Sequence, residues 1–138
     1  LLHDIDLEEM GQDAPMHSHG IIGGEWLQKL GMNEACVNAI ISHNEEGNGF
    51  RRATFIDFAL TSAESLSGLI AATAKVYPDK KVASVKVSSV VKRMKEKAFA
   101  ANVNRDSIKL CEKIGLTLDE FVTIGIESMK TVANKIGL

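Results

Sequence analysis

The sequence predicts an all-α fold in a single domain over residues 1–138. Apolar residues recur at three- and four-residue steps along most of the chain, which is the spacing of a buried helix face. No stretch alternates apolar and polar residues between hairpin turns, as paired strands would. With 45% hydrophobic and 25% charged residues, the composition is that of an ordinary soluble domain with one core.

Capping residues and glycines define the helices of the first third. Ser18 is predicted to cap a helix over residues 20–30. Asn33 is predicted to cap the next helix, which ends at His43. The polar, glycine-bearing segment 44–49 is then expected to be a loop.

The longest periodic stretch covers residues 54–77 and stops before Pro78, as a helix must at a proline. Its length suits a central helix, with Phe55 among the residues expected to face inward. A shorter apolar stripe predicts a helix over residues 86–98, although its β-branched residues weaken the first turn.

Two capping signals mark the last helices. Asn104 is predicted to cap a short helix that reaches about Ile114. Thr117 and Glu120 form the T-x-x-E pattern of a capping box, and the final helix is expected to run to about residue 136.

Several classes of protein are excluded by composition. No run approaches the 18 consecutive apolar residues that a membrane span needs, and no signal segment opens the chain, so a cytoplasmic protein without membrane contact is predicted. Cys36 and Cys111 form no C-x-x-C pair and are predicted to be reduced core thiols. Only Tyr77 and Phe99, of seven aromatic residues, lie in or beside the basic segment, which argues against a nucleic-acid platform.

The chain opens on Leu1, within what reads as the end of an apolar segment. We therefore expect that one or two helices upstream of this segment are missing. The apolar surface that they would cover is expected to promote self-association into a homo-oligomer.

Charge is distributed unevenly. Residues 1–50 hold nine acidic residues and one lysine, whereas residues 75–97 hold eight lysines and arginines and two acidic residues. Such asymmetry is typical of a site that joins cations to an anionic ligand, and equally of two solvated faces. Both interpretations remain open at this level.

All four histidines lie in the acidic first third. They are His3, His17, His19 and His43. Imidazole and carboxylate are the ligands that zinc, iron, manganese and nickel take in proteins. His3 and Asp4 are adjacent, His19 opens a predicted helix and His43 ends one, so three helix termini can converge on an ion. His17 is interpreted as a loop histidine, or as a replacement for an absent ligand.

Four motifs occur in a characteristic order: L-L-H-D-I-D at 1–6, H-G-I-I-G-G at 19–24, S-H-N-E at 42–45 and A-L-T-S-A-E-S-L-S-G-L-I at 59–70. In order and spacing they resemble the small predicted hydrolases of the HD-domain superfamily of metal-dependent phosphohydrolases. The resemblance implies an HD-domain-like helical bundle, here without the helix and histidine that the family places upstream of its HD pair.

The resemblance also implies a ligand set. His3, Asp4, His19 and His43 are expected to bind metal, and Asp4 to bridge two ions where two are bound. Glu64 occupies the position of an aspartate ligand of the family, one methylene longer, and Asp57 is a weaker substitute. The expected cofactor is one or two divalent ions (Fe, Mn, Zn, Ni or Mg), and His3 and Asp4 are the expected catalytic residues.

Further residues are assigned supporting roles. Asn44 and Glu45 either orient His43 and bound water or simply end the helix and begin a solvated loop. Candidate phosphate-binding residues in the basic segment are Lys92, Arg93 and Lys97.

The expected function is metal-dependent hydrolysis of a small phosphoester or nucleotide. The main alternative is a noncatalytic HD module that binds a nucleotide or a protein partner. A metal-free helical interaction domain is the third hypothesis, and it requires the histidines to be dispersed in space.

Overall fold

The computed structural model describes residues 2–7 and 15–138. Within these residues the regular structure is entirely helical, which confirms the all-α prediction. The chain forms two compact units, Leu1–Thr61 and Ser62–Leu138. The boundary falls inside one continuous helix, so the single-domain interpretation stays a prediction.

Within its described residues, the first unit contains two short 3₁₀ helices and three α-helices, followed by the beginning of a long fourth α-helix. In order these are 3₁₀ Leu2–Asp4, 3₁₀ Met16–Ser18, α1 (Ile21–Lys29), α2 (Glu34–Ser42), α3 (Glu45–Asn48) and the start of α4 (Phe55–Lys75). Leu27 of α1 and Val37 and Ile40 of α2 are buried. A Cβ added at Gly24 would lie 2.6 Å from the Cγ1 of Ile41, so the glycine permits the close approach of α1 to α2.

The beginning of α1 differs from the prediction. Ser18 lies in the preceding 3₁₀ turn, and the N-cap is Gly20, whose φ of +84° is a left-handed conformation that glycine adopts without strain. Gly20 has no side chain with which to cap the helix. The N–H groups of Gly20 and Gly23 are instead bonded to a carboxylate from a remote part of the chain, described below.

Of the next two predictions, the cap of α2 is confirmed and the loop at 44–49 is wrong. Asn33 caps α2 as predicted, since its Oδ1 accepts a hydrogen bond from the N–H of Ala35 at 2.9 Å. The segment 44–49 is not a loop, because residues Glu45–Asn48 form the single turn of α3. Gly49, with a φ of +78°, ends it.

Helix α4 runs over the predicted central stretch. Its Phe55 is 67% exposed, so the prediction that this residue faces inward is wrong. Among the described helices, α4 is the one that meets a length and hydropathy test for a membrane span, with a mean hydropathy of 1.3. Its buried residues include the polar Thr61, Ser62 and Thr73.

The second unit packs its helices around one apolar core. Its elements are the remainder of α4, 3₁₀ Val82–Ser84, α5 (Val87–Arg93), α6 (Arg105–Lys109), 3₁₀ Leu110–Ile114 and α7 (Leu118–Ile136). The core consists of fully buried side chains from every one of these elements, such as Leu69, Val82, Val90, Ile108, Cys111 and Val122. Both cysteines are free, Cys111 buried as predicted and Cys36 only partly buried.

Helix α5 is shorter than the predicted 86–98, because it ends at Arg93. Beyond it the chain turns, and the guanidinium of Arg105 donates to the carbonyls of Phe99, Ala100 and Val103. The backbone acceptors of this segment are thus satisfied by a side chain rather than by another helical turn.

The last two capping predictions are confirmed. Asn104 accepts from the N–H groups of Asp106 and Ser107 at 3.0 and 3.1 Å. Thr117 and Glu120 form both reciprocal bonds of a capping box at the beginning of α7.

Candidate metal centre

Three predicted ligands, which follow or end three separate elements of the first unit, lie close together. Asp4 ends the first 3₁₀ helix, His19 follows the second, and His43 follows α2. Each offers one ligand atom, and these atoms all lie within 4.8 Å of one another. The two imidazoles are buried, whereas the side chain of Asp4 is 36% exposed.

The individual separations are those of groups that share an ion. The Nε2 of His19 lies 3.0 Å from the Nε2 of His43 and 3.3 Å from the Oδ1 of Asp4. The Nε2 of His43 lies 3.6 Å from the same oxygen. Ligands about 2.1 Å from one ion stand about 3.0 Å apart at octahedral angles and about 3.4 Å apart at tetrahedral angles.

His19 is held from its other ring nitrogen. Its Nδ1 lies 2.8 Å from the Oδ1 of Asp6, a side chain with no exposed surface. The Oδ2 of Asp6 accepts the N–H groups of Gly20 and Gly23 at 2.8 and 3.1 Å. Asp6 therefore provides the cap that α1 lacks, and a carboxylate is favoured there by the positive end of the helix dipole.

His43 is also held through its Nδ1, in this case by a backbone carbonyl. Its Nδ1 bonds to the carbonyl of Ile40, one helical turn earlier. A carbonyl is only an acceptor, so Nδ1 carries the proton. In each imidazole the Nδ1 is thus engaged with the protein and Nε2 is directed toward the other ring and Asp4.

This donor set fits a cation. When both Nδ1 atoms carry the proton, two neutral rings present lone pairs to each other across 3.0 Å, which is repulsive unless a proton or a metal ion lies between them. Metal-binding histidines commonly bond their second nitrogen to a carboxylate or backbone carbonyl, as His19 and His43 do.

The charge of Asp4 suits the same role. The imidazoles of His3 and His43 beside Asp4 hold the pKa of its carboxyl well below the usual range and outweigh the effect of burial. For Asp6, burial raises the pKa, but the bonds from Gly23, Gly20 and His19 together bring it below its usual value. Both side chains are therefore carboxylates at neutral pH.

His3 lies beside this group without belonging to it. Its Nε2 is 3.1 Å from the Oδ2 of Asp4, the oxygen opposite the one that faces His19 and His43. The ring centroids of His3 and His43 are 5.2 Å apart. Asp4 thus presents one oxygen to the buried pair of imidazoles and the other to His3.

The supporting residues Asn44 and Glu45 act on the chain around the centre. Asn44 donates to the carbonyls of Met16 and His19 at 2.8 and 3.2 Å, and so fixes the backbone that carries His19. Glu45 accepts the N–H of Arg52 at 3.0 Å. The predicted orientation of His43 or of bound water by Asn44 and Glu45 stays a prediction.

Three residues that hold the centre were not identified from the sequence: Asp6, Asn48 and Arg52. Asn48 donates to the carbonyls of His19 and Ile41 at 3.2 and 2.7 Å. Arg52 donates to the carbonyl of His43 at 2.9 Å, and its guanidinium also pairs with Glu46. The one available signal for Asp6 was a helix beginning at a glycine, because such a helix needs an acceptor from elsewhere.

The remaining predicted residues lie outside the three-ligand group. His17 is exposed and lies in the second 3₁₀ helix rather than in a loop, and it is not among the three grouped ligands. Asp57 is buried and accepts the N–H groups of Ala53 and Thr54 through Oδ2. Glu64 is exposed and belongs to the second unit, so its role as a ligand stays a prediction.

The candidate phosphate-binding residues also belong to the second unit. Arg93 is paired with Glu96 at 2.8 Å and lies over the ring of Phe99. Lys92 and Lys97 are exposed. Their proposed contact with a phosphate stays a prediction.

Comparison with known proteins adds no further assignment. No family model, no curated protein and no solved structure matches this chain.

Proposed function

We propose that the first unit binds a divalent cation through Asp4, His19 and His43, and that the chain is a metal-dependent phosphohydrolase of the HD superfamily. The substrate class is a small phosphoester or a nucleotide, and the setting is the cytoplasm. The single observation that supports this best is the convergence of three ligand atoms within 4.8 Å from three separate elements.

Two histidines and one carboxylate favour a reactive site over a structural one. Structural zinc sites are closed by four protein ligands, whereas catalytic sites keep a position open. The two imidazoles are buried, but Asp4 is 36% exposed and His3 is 14% exposed. The ligand group is therefore accessible from the side on which Asp4 and His3 lie.

A divalent ion in such a site supplies water activated for attack near neutral pH and polarises a phosphoryl oxygen. Asp4, His19 and His43 hold and orient that ion. The Nε2 of His3 is placed either to bind a second ion with the Oδ2 of Asp4 or to give a proton to the leaving oxygen. Among the candidate phosphate-binding residues of the second unit, Lys92 and Arg93 both pair with Glu96, at 4.0 and 2.8 Å, so Lys97 is the better candidate.

The test combines metal content with turnover. The purified chain is loaded separately with Fe²⁺, Mn²⁺, Zn²⁺, Ni²⁺ and Mg²⁺, and its metal stoichiometry is measured together with phosphate release from p-nitrophenyl phosphate and a nucleotide panel. We expect stoichiometric metal and metal-stimulated release. His43→Ala should lose both, and His17→Ala, an exposed histidine of the same unit, should lose neither.

A noncatalytic HD module is the second candidate. It is favoured by Glu64, which stands where the family has an aspartate ligand and is one methylene longer. Full metal occupancy, chelator-insensitive nucleotide binding and no turnover with any ion would support this module over the hydrolase. Absence of bound metal from every loading would contradict both.

A further inference from the structure

Asp6 lies between the backbone at the beginning of α1 and the imidazole of His19, and one carboxylate oxygen bonds to each of them. Oδ2 accepts the N–H groups of Gly20 and Gly23, which is a structural role. Oδ1 lies 2.8 Å from the Nδ1 of His19. The two functions of this residue are therefore separated on two atoms.

The protonation of His19 follows from the chemistry of its partner. An ionised carboxylate only accepts hydrogen bonds, so the Nδ1 that faces Oδ1 carries the hydrogen. The lone pair of the neutral ring is then on Nε2, the atom that lies 3.3 Å from Asp4 and 3.0 Å from His43. If Nε2 carried the hydrogen instead, it could not bind a cation.

The glycines of α1 make this approach possible. A Cβ at Gly23 would lie 3.3 Å from the Cγ of Asp6 and 3.0 Å from the Cγ2 of Ile5. The carboxylate thus reaches the beginning of α1 and His19 together because the helix presents bare backbone at that point.

We infer that Asp6 is the positioning residue of the centre, which fixes the orientation and tautomer of His19 so that Nε2 is the metal ligand. This inference rests on the proposed function. A carboxylate behind a ligating imidazole also raises its basicity, and loss of such a group typically costs about 10- to 100-fold in metal affinity.

The decisive variant is Asp6→Asn, which is nearly isosteric. If the amide oxygen keeps the bonds to Gly20 and Gly23, the amide NH₂ faces the Nδ1 of His19 and forces the hydrogen onto Nε2. The matched control is Asn33→Ala, which removes another N-cap of the same unit without touching His19. Both variants weaken a helix N-cap, Asp6→Asn by removing its charge and Asn33→Ala by removing its hydrogen bond. Only the first changes the tautomer.

The experiment measures zinc affinity by competition with a chromophoric chelator, and the His19 tautomer by long-range ¹⁵N–¹H NMR of histidine-labelled full chain. We expect the metal-free and zinc-loaded wild type to carry hydrogen on Nδ1 of His19. Asp6→Asn should show hydrogen on Nε2 and about 10- to 100-fold weaker zinc binding, while Asn33→Ala retains the wild-type spectrum and affinity.

Two results would overturn the inference: zinc bound through the Nδ1 of His19 in the wild type, or unchanged affinity and tautomer in Asp6→Asn. If Asp6→Asn does not fold, the wild-type spectrum alone decides. If the wild type binds no divalent ion, the proposed function fails, and the metal-free spectrum still tests whether Asp6 sets the tautomer.

Discussion

The Nε2 atoms of His19 and His43 face each other at 3.0 Å, although the two residues are separated by 24 positions in the chain. Both rings are buried and meet edge to face, with centroids 4.8 Å apart. Each Nδ1 is bonded to the protein, so the two Nε2 lone pairs face each other. A cation bound by both atoms would relieve the repulsion between these lone pairs.

Addition of a divalent cation should therefore stabilise the protein. Binding to the folded state alone contributes about 2.7 kcal/mol at a concentration 100 times the dissociation constant, which corresponds to several degrees in melting temperature. The measurement is differential scanning calorimetry with and without Zn²⁺ or Mn²⁺. His43→Ala should lose the shift and His17→Ala keep it; an equal shift in both variants would exclude His43 from the site.

Gly20 and Gly31 form a matched pair for substitution by alanine. Their φ angles are +84° and +83°, so both substitutions carry a similar backbone strain of about 1–2 kcal/mol. A Cβ at Gly20 also lies 2.9 Å from the carbonyl oxygen of Ile40 and 3.3 Å from the ring of His43, whereas the space around Gly31 is open. We expect Gly20→Ala to be the more destabilising in urea and to weaken metal binding.

The Gly31→Ala variant is the control for this prediction. Gly31→Ala should leave metal affinity unchanged, because nothing lies within 4 Å of the added atom. Equal losses of stability with full metal affinity in Gly20→Ala would show that the approach of Ile40 and His43 to this glycine is unimportant.

Asn48 is expected to stabilise the first unit, since its side chain donates to the carbonyls of His19 and Ile41 and accepts the N–H of Phe50. Asn48→Ala removes the donor to the carbonyls of Ile41 and His19 and should cost about 1–3 kcal/mol of unfolding free energy. The control, Asn38→Ala on the exposed face of α2, should be neutral or slightly stabilising because alanine is the better helix former. Urea denaturation followed by circular dichroism distinguishes them.

The two cysteines should differ in reactivity. Cys111 has no exposed surface, and burial followed by the charge of Glu112 raises the pKa of its thiol, so little thiolate is available. Native protein is expected to react with Ellman's reagent at Cys36 alone, and Cys36→Ser should react only after unfolding. Rapid labelling of native Cys36→Ser would contradict the packing of the second unit.

Much of the fold was predictable because its determinants are local. The caps at Asn33, Asn104 and Thr117 are formed by hydrogen bonds to residues two or three positions away, and the sequence displays both partners side by side. Apolar periodicity, likewise, is a property of a single helix. The Ser18 cap was wrong because a remote carboxylate, that of Asp6, serves the beginning of α1 instead.

By itself the sequence determined the helical class, most helix boundaries and the identity of the candidate ligands Asp4, His19 and His43. Only the tertiary structure decided that their atoms meet, that His3 stands beside them, and that Asp6 both caps α1 and holds His19. The physical reason is distance along the chain. Hydrogen bonds across 13 to 24 residues depend on how helices pack, and no local pattern records that packing.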